Sequence, residues 1–136
     1  MKNFEYFLER VKARKINEEV FNTEKETKLK NHEQKLQYYN ANKNKFKSIF
    51  SQSEDKWEED AEKIINGNVY LSHMWRVNKI ENNITKLEDQ LRNAELSNEE
   101  KQDMENKIAE NKDKLKEQEK ELEKKIKDDL SEIENL

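Results

Sequence analysis

Leu96-Ser97-Asn98-Glu99-Glu100 is the stretch that decides between two different molecules. Ser97 and Glu100 have the spacing of a capping box, in which the serine oxygen and the glutamate carboxylate satisfy free backbone N–H groups at a helix start. Apolar residues keep one heptad frame on both sides of it. Val77, Ile80, Ile84, Leu87, Leu91 and Ala94 precede the box; Ile108, Leu115, Leu122, Ile126, Ile133 and Leu136 follow it. Without the box, that frame describes a continuous helix in a parallel coiled-coil rod. Two features oppose the rod. Asn98, Lys101 and Glu105 interrupt the seam beside the box, and Glu105, Lys112 and Glu119 hold three consecutive a positions. In a parallel homodimer each of these charges would face its own copy. The reading adopted is an antiparallel helical hairpin, a coiled-coil-like arm over residues 69–136 that turns near 96–97.

Upstream, residues 1–68 read as a small helical head. All eleven aromatic residues lie between Phe4 and Trp75, and none follows. Phe4, Phe7, Leu8 and Val11 fall at i, i+3, i+4 and i+7, which predicts a helix over about 2–14. Arg10, Lys12, Arg14 and Lys15 flank that face, but Glu5 and Glu9 weaken a membrane-surface reading. Thr23 and Glu26 form a capping box for a helix over about 24–50. Its stripe is Leu29, Leu36, Tyr39, Phe46 and Ile49 or Phe50, completed by His32 and Lys43. Ser51 and Glu54 form another box, for a helix over about 54–65 carrying Trp57, Ala61, Ile64 and Ile65. Asn66-Gly67-Asn68 ends it, because glycine takes the left-handed conformation without a side-chain clash. The next helix begins near Val69.

Composition agrees with long helices. Apolar residues make up 32% and charged residues 43%, with one glycine and no proline. A chain so charged fills narrow helical seams rather than a wide core. No segment alternates for long in the manner of a strand, so the class is all-α. There is no cysteine, no apolar run long enough for a membrane span and no signal-peptide core, so a cytoplasmic protein is expected.

Site chemistry is sparse. A single glycine excludes phosphate-binding loops and dinucleotide fingerprints. His32 and His73 lack the partners of common zinc motifs. Glu58, Glu59, Asp60 and Glu62 read as a solvated first turn that suits the helix dipole, rather than as a cation site. No cofactor, metal or catalytic set is assigned, and the chain is not expected to be an enzyme.

Two functions follow. The first is a non-enzymatic helical interaction protein (an adaptor, scaffold or partner-regulating subunit) with Trp57, Tyr70, Met74 and Trp75 as candidate partner anchors. The simpler role for those four is the head's own core. A protein partner is expected, and a homo-oligomer is compatible with thin seams. The alternative is a nucleic-acid-associated accessory factor using Lys25, Lys28, Lys35, Lys43, Lys45 and Lys47. Residues 1–50 carry twelve Lys/Arg against seven Asp/Glu, whereas residues 51–136 carry fifteen against twenty-four. That asymmetry gives the alternative a basic region, but the net charge of −4 disfavours a dedicated nucleic-acid binder.

Overall fold

The computed structural model describes residues 23–93 and 95–136. The helix expected over about 2–14 lies outside the described residues. The described chain is all-α: helix α1 (residues 23–42), a short 3-10 helix Lys45–Ser51, a 3-10 turn Glu54–Lys56, then α2 (Trp57–Ile65), α3 (Val69–Asn93) and α4 (Asn98–Glu134). No strand occurs among the described residues. No helix among them is long and apolar enough to cross a membrane.

Within α1, Thr27 Oγ1 donates to the Thr23 carbonyl. Two expected boundaries are corrected. The expected helix over 24–50 breaks at residues 43–44. Asn42 turns its amide back onto the Tyr38 carbonyl at 2.8 Å, and Ser48 and Ser51 donate to the carbonyls three residues before them. Such short-range side-chain bonds compete with the α-ladder, and the two serine bonds span the three residues of the tighter 3-10 turn. Ser51 is thereby engaged in the 3-10 helix and caps nothing. Ser53, extended at φ −62° and ψ 135°, precedes the next turn without a side-chain cap.

The stop after α2 matches its sequence. Asn66 (φ 44°) and Gly67 (φ 77°) are both left-handed. Among the described residues a side chain at Gly67 would meet no neighbour, and its left-handed backbone favours glycine there. Asn68 then starts α3. Its Oδ1 accepts from the Tyr70 and Leu71 backbone N–H groups, while its Nδ2 donates to the Lys35 carbonyl at 3.0 Å. One buried side chain therefore caps α3 and ties it to α1.

The core forms where these elements meet. Tyr39, Phe46, Ile49, Ala61, Tyr70, Leu71, Trp75 and Leu122 are buried together, with Trp57, Ile64, Ile65, Met74 and Ile126 packed around them. Trp75 stacks on Phe50 at 5.2 Å between ring centres, and Phe50 meets Trp57 edge-on. Indole and phenol groups keep partners: Trp75 Nε1 donates to Glu58 at 3.0 Å, and Tyr38 Oη to the Ile64 carbonyl at 2.7 Å. Aromatic side chains thus supply large buried area without stranded donors. The core includes residues of α3 and α4 as well as of the elements before them.

Helices α3 and α4 pack against each other. Ser97 is extended and its Oγ accepts from the Glu100 backbone N–H at 3.2 Å, so α4 has the expected cap. The chain is non-helical at 95–97, which removes a continuous rod from 69 to 134. Val77, Ile84, Ile108 and Leu122 are buried, while Ile80, Leu87, Met104 and Leu115 are half-buried. Polar pairs join Glu88 to Lys112, Asn83 to Asn111 and Tyr70 to Asp129. At 1.5 Å per residue, α4 is about 18 Å longer than α3. Its far end reaches α1, where Lys25 Nζ donates to the Glu134 carbonyl at 2.8 Å. A cation at that position also suits the helix dipole.

Candidate functional site

The far end of α4 and one face of α1 enclose an open groove of about 600 Å³. Helical spacing aligns its walls. Lys28, Asn31, His32 and Lys35 lie at i, i+3, i+4 and i+7 on α1; Lys125, Asp129, Glu132 and Ile133 lie at i, i+4, i+7 and i+8 on α4. Leu136 and Val69 complete the lining. Among the described residues, the two exposed large apolar side chains are Val69 (42%) and Leu136 (40%). Both belong to this groove.

A polar relay underlies it. Fully buried Tyr70 donates its hydroxyl to Asp129 Oδ2 at 2.8 Å, and the same hydroxyl oxygen lies 3.4 Å from His32 Nδ1. Since the phenol proton is directed to Asp129, His32 Nδ1 is assigned as the donor to the hydroxyl oxygen. Among the described residues, His32 Nε2 is buried without a hydrogen-bond partner. Lys35 Nζ sits 4.4 Å from the Tyr70 ring centre, and Lys125 pairs with Asp129 at 3.4 Å. Burial, reinforced by Asp129, pushes the Tyr70 phenol far above its ordinary range. Burial alone would raise the Asp129 carboxyl, but Tyr70, Lys125 and Lys35 outweigh it and hold it below its ordinary value.

The sequence-derived candidates divide sharply. Tyr70 and Trp75 are interior, and Trp57 and Met74 are half-buried against the core. Met74 Sδ accepts from Tyr39, and Lys86 lies over the Trp57 ring at 4.8 Å. These four side chains are principally packing groups. The six lysines do not share a face. Lys25 binds α4, Lys28 and Lys35 line the groove, Lys43 lies 5.7 Å from the Tyr39 ring centre, and Lys45 and Lys47 project from the 3-10 helix. Tyr39 and Phe46 are buried, so neither ring offers a stacking surface.

Glu58 is engaged by Lys79 and Trp75, and Asp60 by Lys63. Among the described residues no group of three or more His, Asp or Glu is placed to hold a metal ion. Sequence reasoning missed Val69, Lys125, Asp129 and Leu136 as one site. The α1 and α4 registers were visible separately, but nothing local joins segments about a hundred residues apart. Comparison of the chain with protein-family models, curated proteins and solved structures finds no match.

Proposed function

We propose that the chain is a helical interaction protein that docks a protein partner in the groove between α1 and the end of α4. The observation that carries this reading is the meeting of Val69 and Leu136, exposed and apolar, inside a concavity rimmed by three lysines. Elsewhere among the described residues, large apolar side chains are buried or half-buried. An apolar spot with a polar rim is the usual anatomy of a docking site. Both residues are already more than half buried, so covering them contributes only about 1 kcal/mol each. The expected association is consequently modest and reversible.

In this reading α3 and α4 form an antiparallel, coiled-coil-like hairpin arm that holds the groove's second wall in place. The Glu88–Lys112, Asn83–Asn111 and Tyr70–Asp129 pairs support that path. A photo-crosslinking residue at Val69, compared with one at exposed Lys114, tests the function in host extract. Adducts at 69 that Leu136→Asp abolishes, with none at 114, are expected. Equal labelling at both positions would remove the groove from consideration. Adducts containing only a second copy of this chain would replace the partner reading with self-association.

A further inference from the structure

We infer that the groove's partner is an acidic peptide segment carrying an apolar anchor residue; this rests on the interaction reading above and narrows it to one chemistry. The cations decide the sign. Lys35 is half-buried over Tyr70, and among the described residues no carboxylate lies within 4.0 Å of its ammonium. A ligand carboxylate reaching Lys35 forms a charge-assisted bond without breaking an existing ion pair. Lys28 holds Glu24 only at 3.9 Å, and Lys125 shares Asp129 with Tyr70. Both side chains are about half exposed (47% and 48%), so their ammonium groups can turn toward an incoming anion.

The acids in the same groove decide the class. Asp129 and Glu132 line it beside the lysines. A polyphosphate backbone offers those carboxylates only further negative charge. A peptide brings backbone N–H donors, from which they can accept. Val69, Ile133 and Leu136 provide the apolar counterpart for one aliphatic side chain, and the volume suits an anchor with its flanking backbone. Together the features describe a mixed surface: cations at the rim, acceptors along one wall and an apolar recess between them.

The test uses the full chain, isotope-labelled for amide spectra, with fluorescent synthetic peptides. The probe is a leucine flanked on both sides by glutamates. Its comparators place lysines around the leucine or alanine in its place; generic RNA and laurate serve as competing ligand classes. The acidic leucine peptide is expected to bind, to shift the Val69, Lys35 and Asp129 amides, and to weaken with salt. Alanine in place of the leucine should weaken it. Lys35→Met, which keeps the stem over Tyr70, and exposed Lys28→Glu should each weaken it by roughly tenfold, with helicity unchanged. Equal or tighter binding of the lysine peptide would overturn the acidic assignment while leaving the interaction reading intact. The acidic assignment also falls, alone, if no peptide binds although Val69 still yields specific crosslinks. Preference for laurate or RNA would transfer the groove to that ligand class and overturn the proposal.

Discussion

Replacing Tyr70 by phenylalanine removes one atom from the relay and keeps the ring that packs on Tyr39, His32 and Lys35. The lost interaction is a hydrogen bond to an ionised carboxylate, worth about 1.5–3 kcal/mol. Two effects reduce that loss. The variant no longer desolvates a hydroxyl on folding. Asp129, 24% exposed, also keeps Lys125 and some water. The expected destabilisation is therefore about 1–2 kcal/mol near neutral pH. The pH dependence is more specific. Asp129 titrates below its ordinary value in the folded state, so its contribution is present above the unfolded value, about 4, and disappears as pH falls through the folded one. Tyr70 titrates above its ordinary value, so its contribution is present below about 10 and lost as pH rises beyond it. The stability gap between the two proteins should form a plateau between those limits and close at both ends. Urea unfolding followed by circular dichroism, repeated from about pH 3 to pH 11, measures it. A neutral-pH gap below ~0.5 kcal/mol, or one that stays constant across the series, would show that the hydroxyl is not coupled to Asp129.

Trp75→Ala should cost about 3–5 kcal/mol, because the indole is 3% exposed and stacked on Phe50; a loss below ~1 kcal/mol in urea unfolding would contradict that packing. Ser97→Ala should cost about 1 kcal/mol and Ser97→Gly only a few tenths, since glycine is itself tolerated at the cap. Equal losses in the two variants would deny the Ser97–Glu100 bond its role. The Lys79 ammonium, opposed by partial burial and assisted by Trp75, holds the Glu58 carboxyl below its ordinary value. Lys79→Met should raise the Glu58 midpoint in an NMR titration, and an unmoved midpoint would sink that account. Amide exchange should be faster over residues 100–118, where Ile108 is the buried residue, than over 57–80. The reverse order would mean that the sparse α4 stretch is held by something other than core burial.

Local rules located the features whose causes are local. Asn66-Gly67 and Ser97 announced a helix stop and a helix start through backbone preference and capping. Tyr39, Phe46 and Ile49 showed which face turns inward. The break at 43–44 escaped because Phe46 and Ile49, three apart, share a face in both α and 3-10 geometry, so periodicity could not tell them apart. Ser51 reads from the sequence as the cap of the helix from 54, but its hydroxyl donates to the Ser48 carbonyl within the 3-10 helix. The buried polar groups were hardest to foresee. Asn68 joins α3 to Lys35, and Tyr70 pairs with Asp129 from 59 residues away. Their partners exist only after the helices are packed, and the groove depends on the same juxtaposition.

That long reach also imposes an order on biosynthesis. When Trp75 has just been polymerised, Tyr39, Phe46 and Tyr70 already exist, but the α4 residues that cover them do not. Leu122 follows only after the intervening chain has been made, which at ordinary elongation rates takes about 2–9 s. During that interval the aromatic cluster lacks one side, and Tyr70 has no carboxylate to receive its proton. Nascent chains halted before Leu122 should therefore display apolar surface that chaperones recognise, and release from them should track the emergence of residues 122–129. The fold is completed from its far end, by a helix whose intervening stretch contributes little to the core it finally closes.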